Sequence, residues 1–336
     1  GKVAAQPEQM LSAITLIVGL VLLVGGGALL VRGASEIATS LGVSPLVVGL
    51  TVVGFGTSSP ELVVNIIGAS SGATDLAFGN VVGSNISNLA LVLGAAALMS
   101  PIRIRSALVR RELPLLLLGT TILTVMALDG VLEGRPAVIS RSDAIVLLLL
   151  FGIFIYTNVL DFFQTRHKDS LLLEMGDYPL IATDAADPWR WPMAIGGTIM
   201  LFVGGHLTVN GATGLSVQLG ISETVIGLFV VAIGTSLPEL VTSIIAAVKK
   251  EADLALGNVI GSNLFNSLAV LPAAGLVASV PVPRGGVSDL LLSWGLAAFL
   301  VPVFFLGKAQ LGRAIGVFLI LVYAGYAFLR ITYIDG

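Results

Sequence analysis

Long apolar runs alternate with short polar turns along the chain, and this pattern predicts membrane-spanning helices. A helix needs roughly 20 mainly apolar residues to cross the hydrocarbon core of a bilayer. Runs of about that length predict ten spans, at about 11–32, 44–70, 76–99, 106–128, 143–164, 191–215, 222–248, 254–279, 288–307 and 312–331. We therefore expect an all-α polytopic membrane protein with ten transmembrane helices.

The two halves of the chain are copies of one another. When the sequence is shifted by 178 residues, 41–67 falls on 219–245 and 75–88 falls on 253–266. Between 56 and 88, 20 of 33 positions are identical. Each copy holds five predicted helices, an odd number, so the second must enter the membrane from the opposite side. Such inverted five-helix repeats are typical of secondary transporters, whose site lies near the midplane between the halves.

Positive charges predict the orientation of this arrangement. We expect residues 1–164 to form the first five-helix repeat, 165–190 a linker, and 191–336 the second repeat, inverted relative to the first. Loops after the odd-numbered helices hold 12 Lys and Arg residues, and the opposite side holds 5. Because short cytoplasmic loops are enriched in Lys and Arg, we expect both termini outside and the 165–190 linker in the cytoplasm.

Composition excludes several classes of protein. The chain is 56% hydrophobic and 11% charged, whereas soluble domains carry about 25% charged residues. It has no basic stripe of the kind that binds nucleic acid. It has no cysteine, which excludes disulfides and thiolate metal sites. We expect no prosthetic group, no nucleic-acid partner and no obligatory protein partner beyond the lipid bilayer.

A proline motif interrupts the second and seventh predicted helices. It reads "GTSSPE" at 56–61 and "GTSLPE" at 234–239. Pro60 has no N–H, and its ring clashes with the carbonyl four residues earlier, which belongs to Gly56. Pro238 has the same effect on Gly234. Since irregular backbone at membrane depth is tolerated only inside protein or beside a polar cavity, the motif predicts such a cavity.

Polar side chains share a helical face with the carboxylate of each motif. Residues three or four positions apart are neighbours on a helix, so each Glu lies beside two hydroxyls, and the next helix carries an i, i+4, i+8 stripe. These groups are Thr57, Ser58 and Glu61; Thr235, Ser236 and Glu239; Asn80, Ser84 and Asn88; and Asn258, Ser262 and Asn266. All of them offer oxygen, which suits hard cations such as Ca²⁺, Mg²⁺ and Na⁺.

Glu61 and Glu239 are the only two carboxylates predicted at this depth. A carboxylate at the bilayer centre costs at least about 2.5 kcal/mol, which makes it a functional candidate by default. Together the two charges balance one divalent cation. Exchange for two Na⁺ or two protons would be electrically neutral, and a third Na⁺ would make it electrogenic.

These motifs, together with "GNVVGSNISN" and "GNVIGSNLFN", resemble the two alpha repeats of the calcium/cation antiporter superfamily. The resemblance is strongest to the short bacterial members of the sodium/calcium exchanger branch. It implies alternating access to ion sites between helices 2, 3, 7 and 8, with glycine-rich helices 1 and 6 sliding to switch access. Glu61 and Glu239 would bind Ca²⁺ and the competing ions. The remaining oxygens, mainly for Na⁺, would come from Thr57, Ser58, Thr235, Ser236, Ser84 and Ser262, and from the carbonyls of Gly54 and Ala232.

Asn88 and Asn266 stand where some relatives, including potassium-dependent ones, carry Asp. Both are amides here, so the site is no more negative than −2, which argues against K⁺ cotransport with Ca²⁺. An amide at these positions would ligate Na⁺ or hold a water molecule.

The leading hypothesis is a Na⁺/Ca²⁺ antiporter of a prokaryotic inner membrane. A proton-coupled antiporter of Ca²⁺ or another divalent cation is the alternative, and a cation channel or a non-transporting sensor is more remote. "GASSG" (68–72) fits the nucleophile pattern G-x-S-x-G, but it lies at a predicted helix exit with no strand before it, so we expect no enzyme. His206 replaces Ala28 of the first copy, and we expect it to be packed and hydrogen-bonded.

Overall fold

The structure, a computed structural model, is mostly helical. It describes residues 7–72, 74–103, 109–132, 134, 136–174, 187–218, 236–305, 310–330 and 332. The helices of the first half are α1 (Pro7–Leu41), α2 (Pro45–Val48), α3 (Gly54–Thr57), α4 (Ser59–Ser70), α5 (Thr74–Ile86), α6 (Leu93–Met99), α7 (Val109–Met126), α8 (Asp129–Leu132) and α9 (Arg141–Glu174). Those of the second half are α10 (Arg190–Gln218), α11 (Leu237–Val248), α12 (Ala252–Phe265), α13 (Leu271–Val277), α14 (Gly286–Phe305) and α15 (Arg313–Leu329).

In the described residues, three π-helical segments connect helices of the bundle. They are Gly49–Val53 between α2 and α3, Ser87–Val92 between α5 and α6, and Asn266–Val270 between α12 and α13. The last two occupy matching positions of the sequence repeat. π-Helical turns are rare and occur mostly at functional sites.

Several helices are long and apolar enough to cross a membrane. Within the described residues there are six, and a seventh if the bent pair Pro45–Thr57 and Ser59–Ser70 counts as one span. Leu237–Val248 and Arg313–Leu329 are shorter apolar helices. These helices confirm the prediction of a mainly helical membrane protein, whereas ten spans in two inverted repeats stay a prediction. Helix α9 continues to Glu174, ten residues beyond the predicted end of the fifth span at 164.

Helices α1 and α10 pack antiparallel along most of their length. Their glycines recur every seven residues, at Gly19, Gly26 and Gly33 and at Gly197, Gly204 and Gly211. A Cβ atom on Gly26 would lie 2.8 Å from the carbonyl oxygen of Gly197, and one on Gly197 would lie 2.5 Å from the amide nitrogen of Leu30. Only glycine allows two backbones to approach this closely.

In the part of the chain that the structure describes, two small antiparallel sheets join the halves. Strand β1 (Ile102–Arg103) follows α6 and pairs with β4 (Gln310–Leu311), which lies between α14 and α15. Strand β2 (Val138–Ile139) precedes α9 and pairs with β3 (Val280–Pro281), which follows α13. Each sheet therefore takes one strand from each half.

The segment from α2 to α3 runs in the same direction as α12 and crosses it at very short range. A Cβ on Gly257 would lie 2.6 Å from the carbonyl oxygen of Leu46, and one on Gly261 would lie 2.4 Å from the carbonyl oxygen of Leu50. A Cβ on Gly49 would likewise meet the carbonyl oxygen of Leu254 at 2.7 Å. This crossing brings the proline motif of the first half against the polar stripe of the second half.

Candidate ion site

The serine two residues before each proline has the same non-helical backbone in both halves. Ser58 has φ −95° and ψ 6°, and Ser236 has φ −92° and ψ 6°, both outside the helical range. In each half the next helix begins directly after this serine, with the proline in its first turn. The two parts of the first broken helix meet at 43°. The predicted break is therefore confirmed in the first half, two residues before Pro60; in the second half the residues before Ser236 lie outside the described part of the chain.

The two carboxyl groups are buried at these breaks. The exposed fraction is 3% for Glu61 and 1% for Glu239. The Ser58 hydroxyl donates a hydrogen bond of 3.0 Å to Oε1 of Glu239, so a hydroxyl of one half binds the carboxyl of the other. Oε2 of Glu61 and Oε2 of Glu239 have no hydrogen-bond partner in the described part of the chain. Because unpaired carboxylate oxygens are costly to bury, this arrangement favours a cation between the two groups.

A second set of oxygens lies around Thr57, at the crossing of the two halves. The Thr57 hydroxyl donates to Oδ1 of Asn258 at 3.2 Å and lies 3.4 Å from the hydroxyl of Ser262. The carbonyl oxygen of Gly54 accepts bonds of 3.4 Å from both hydroxyls. Thr57, Gly54 and Ser262, which were predicted as site residues, therefore lie together.

Asn88 and Asn266 lie in the two matching π-helical segments. Each is 1% exposed, and neither Nδ2 nor Oδ1 of either side chain has a hydrogen-bond partner in the described residues. The hydroxyl of Ser236 is buried and equally unpartnered. Ser84 is buried as well, at 5% exposure. Buried amides are normally hydrogen-bonded, so these groups have unused capacity for a ligand or water.

Two predicted ligands, Ala232 and Thr235, fall outside the described residues. By the repeat they correspond to Gly54 and Thr57. Their assignment stays a prediction from the sequence.

Two polar residues near the carboxyls were missed by the sequence reasoning. Asn65 donates from Nδ2 to the carbonyl oxygen of Glu61 at 2.6 Å. Ser243 accepts a bond of 2.8 Å from Nδ2 of Asn258, which also lies 3.3 Å from the carbonyl oxygen of Glu239. Both residues follow their Glu by four positions, and this spacing, which places them on the same helical face, was the signal that could have found them.

An aromatic cluster lies beside the polar groups. The ring centroids of Phe55 and Phe265 are 4.7 Å apart, and Phe151 lies 5.6 Å from Phe55 and 5.8 Å from Phe265. Phe55 directly follows Gly54, and Phe265 directly precedes Asn266. The cluster therefore covers this side of the site with apolar surface, where interactions between charges are stronger than in water.

The oxygens of this site suit small hard cations. No group of three or more His, Cys, Asp or Glu side chains lies together in the part of the chain that the structure describes. The available donors are two carboxyls together with hydroxyl, amide and carbonyl oxygens. Such neutral oxygens and a low ligand charge are compatible with both Ca²⁺ and Na⁺.

Comparison with known proteins supports this interpretation. The model of the family described as sodium/calcium exchanger protein matches residues 11–160 and 189–332. The putative antiporter CaxA of Alkalimonas amylolytica is 37% identical over 95% of this chain and 98% of its own length. The sodium/calcium exchanger MaX1 of Methanosarcina acetivorans is 32% identical, over 78% of this chain and 81% of its own.

A solved structure has the same fold. The sodium–calcium exchanger NCX_Mj, in a crystal soaked without Na⁺ and Ca²⁺, matches with a TM-score of 0.80 and 29% identity. The match covers 97% of this chain and 99% of the exchanger. The family model also matches the chain, in two parts. The chain therefore belongs to the sodium/calcium exchanger family of membrane transporters, and it is not an enzyme.

Proposed function

We propose that this protein is a secondary active antiporter that exchanges Ca²⁺ for Na⁺ by alternating access to one site. The observation that carries the proposal is the pair of buried carboxyls, Glu61 and Glu239, one from each half of the chain. Each has an oxygen without a hydrogen-bond partner among the described residues. Because each half of the chain supplies one carboxylate, the pair suits a cargo that must be released to both sides of a membrane.

Charge balance explains why the two ions exchange. When both carboxyls are ionised the site carries −2, which one Ca²⁺ or two Na⁺ neutralise. A buried site with uncompensated charge is expensive to move through a low-dielectric barrier. Only the loaded forms of the protein therefore change access readily, so the two cations compete for Glu61 and Glu239 and cross in opposite directions.

The remaining oxygens are assigned to ions by position. Thr57, Ser262 and the carbonyl of Gly54 form a neutral set beside the carboxyls, and we assign it mainly to Na⁺. By the repeat, Thr235, Ser84 and the carbonyl of Ala232 form the second such set. Ser58 and Ser236 flank the carboxyls at the two helix breaks. Asn88 and Asn266 supply amide oxygens to Na⁺ or to a bound water.

Contacts of α1 support alternating access. A Cβ on Gly27 would lie 2.8 Å from Cδ1 of Ile245 and 3.0 Å from Cγ1 of Val241, so α1 is packed tightly on α11. The matching glycine of α10 is Gly205, and among the described residues a Cβ there would meet only Pro238, at 3.9 Å.

The surface that Gly205 would contact in a symmetric arrangement is exposed. The residues that match Val241 and Ile245 are Val63 and Ile67, and their exposed fractions are 54% and 60%. The α1–α10 pair thus docks on one half of the molecule and leaves the equivalent face of α4 free. The sequence repeat gives both faces similar side chains, which supports two alternative docking positions and hence two states of access.

We assign Na⁺ as the coupling ion because neutral hydroxyl, amide and carbonyl oxygens lie beside the carboxyls. His206, the one histidine of the sequence that falls in a predicted span, lies on the exposed face of α10. It is hydrogen-bonded to Asn210 at 2.9 Å. The prediction of a hydrogen bond is confirmed, but the expectation of a packed side chain is wrong, because this face of α10 is not covered.

We further propose ten spans in two inverted repeats, in a prokaryotic inner membrane. The two sheets, each with a strand from either half at matching positions of the repeat, support this arrangement. The excess of Lys and Arg after the odd-numbered spans supports outward termini and a cytoplasmic 165–190 linker.

A flux measurement on reconstituted protein tests this function. Liposomes loaded with Na⁺ are diluted into Na⁺-free buffer that contains radioactive calcium, and calcium uptake is followed. A second set of liposomes carries only a pH gradient. We expect uptake that depends on internal Na⁺ and stops when the Na⁺ gradient is collapsed. Uptake driven by the pH gradient and indifferent to Na⁺ would show proton coupling, and uptake that needs no counter-ion would show a channel.

A further inference from the structure

A hydrogen bond between α11 and α12 lies, along α11, between Glu239 and a cavity at one end of the bundle. Nδ2 of Asn258 on α12 donates to the hydroxyl of Ser243 on α11 at 2.8 Å. Oδ1 of the same amide accepts the Thr57 hydroxyl. Asn258 and Ser243 are both 0% exposed. Asn258 therefore connects three helical segments, two from the second half and one from the first.

The cavity has a volume of about 500 Å³. It lies where α6 and α11 end and where α2 and α12 begin, which are parts of the same four predicted spans that form the ion site. Its lining includes Pro45, Ser100, Arg103, Ala247, Lys250 and Asp253. The topology predicted from positive charges places this end of the bundle in the cytoplasm.

One face of α11 leads from the cavity to the site. Glu239, Ser243 and Ala247 follow one another at intervals of four residues, so they lie in a row on this helix. Eight residues of helix span about 12 Å. Ala247 lines the cavity and Glu239 belongs to the carboxyl pair. The bond between Ser243 and Asn258 lies midway along this row.

The first half of the chain has the corresponding residues but lacks the bond. Asn65 and Asn80 match Ser243 and Asn258 in the repeat. Asn65 donates instead to the carbonyl oxygen of Glu61 in its own helix, at 2.6 Å. Asn80 is half-buried, whereas Asn258 is fully buried. The second pair is therefore joined by a hydrogen bond and the first pair is not, although Asn65 is also buried, at 2% exposure.

We propose that the cavity is the vestibule through which cations reach the site from one side of the membrane, and that the Asn258–Ser243 hydrogen bond is the barrier between them. This inference rests on the proposed antiport, in which both sides of the membrane need a path to the carboxyl pair. When this bond breaks, water enters along the row of residues between Ala247 and Glu239. The pair Asn65 and Asn80 performs the same task on the opposite side.

Thr242, next to this barrier, supports the proposal. Its side chain is 0% exposed, and its hydroxyl has no hydrogen-bond partner in the described residues. It lies three residues after Glu239 on the buried side of α11. The matching residue of the first half is Val64, which has no such group. A hydroxyl that is orphaned while the barrier is closed gains water or a passing cation as a partner when the barrier opens.

Cysteine accessibility tests this inference directly, because the natural chain contains no cysteine. Ser100→Cys reports on the vestibule and Thr242→Cys on the space behind the barrier. Each variant is treated with a membrane-impermeant thiol reagent from one side of the membrane, in right-side-out and inverted vesicles. We expect Ser100→Cys to react rapidly from one side only, and Thr242→Cys to react slowly from that same side.

The barrier is then removed by Ser243→Ala, which deletes one hydroxyl and introduces no bulk. In the Thr242→Cys background we expect labelling from the vestibule side to become about fivefold faster, the factor that corresponds to the loss of one hydrogen bond. The matched control is Asn65→Ala, which we expect to leave this rate unchanged. The proposal would be overturned if Ser243→Ala left the labelling rate of Thr242→Cys unchanged, or if labelling were equal from both sides. So would a Ser100→Cys variant that reacts from neither side.

Repeating the labelling with Na⁺ or Ca²⁺ separates this inference from the proposed function. If Ser243→Ala accelerates labelling but neither ion changes it, the barrier is supported and the antiport is contradicted. If the ions change the rate but Ser243→Ala does not, the antiport is supported and the barrier is wrong. A thermal unfolding measurement on each variant shows whether a faster reaction comes from general loosening, which would also overturn the assignment.

Discussion

Gly197→Ala tests the tight contact between α1 and α10. The new Cβ would lie 2.5 Å from the amide nitrogen of Leu30 and 2.7 Å from the carbonyl oxygen of Gly26. Ordinary contacts begin at about 3.4 Å, so the two backbones must separate by about 0.7 to 0.9 Å. Overpacking of this kind costs about 1–3 kcal/mol. At about 2 °C per kcal/mol for a large domain, we expect the midpoint of thermal unfolding to fall by about 2 to 6 °C.

Gly196→Ala is the matched control, one position away on the same helix. A Cβ on Gly196 has no heavy atom within 4 Å. We expect an unchanged midpoint, or a slightly higher one because Ala is a better helix former by about 0.5–1 kcal/mol. Both variants are purified in detergent, and unfolding is followed by circular dichroism or by a fluorescence assay that does not depend on thiol labelling. If Gly197→Ala is as stable as Gly196→Ala, then α1 and α10 do not approach each other as described.

Three further predictions concern the ion site. Glu61→Gln and Glu239→Gln should each abolish calcium flux in liposomes while circular dichroism shows an intact helical fold, and normal flux in either variant would show that its carboxyl is not a ligand. Ser262→Ala should raise the Na⁺ concentration for half-maximal exchange more than the Ca²⁺ concentration, because the Ser262 hydroxyl lies in the neutral oxygen set. The control is Ser267→Ala, which loses a bond to Asn85. Equal effects in both variants would contradict the assignment. His206→Ala should leave exchange near the wild-type rate, and a lost pH dependence of flux would instead show a proton-coupling role.

Much of the site could be predicted from the sequence because its chemistry is repeated. Pro60 and Pro238 each remove a helical hydrogen bond, which locates the two breaks to within two residues. Glu61 is the only carboxylate of its apolar run, and Glu239 is the only one in the interior of its run, since Glu223 lies at the start, so hydropathy identifies both. Their i, i+4 neighbours follow from helical geometry. The structure adds the cross-links between halves, such as Ser58 with Glu239, which no local pattern specifies.

Other features had no local signal. The π-helical segments that begin at Ser87 and Asn266 depend on how each helix packs against its neighbours, and propensity does not indicate them. The tight crossing of Gly49 with Gly257 depends on the relative position of two distant segments. The asymmetry between Gly27 and Gly205 could not be predicted either, because the sequence repeat makes the two halves equivalent and only a particular state of the molecule distinguishes them.

Competition between the two cations for one pair of carboxyls is the central claim, and equilibrium binding tests it most directly. Purified protein is incubated with radioactive calcium at a fixed concentration while Na⁺ is increased at constant ionic strength with choline as the replacement. The account predicts that Na⁺ displaces all bound calcium, that choline displaces none, and that Glu61→Gln and Glu239→Gln each remove calcium binding. Calcium binding that is insensitive to Na⁺, or that persists in both Gln variants, would contradict it.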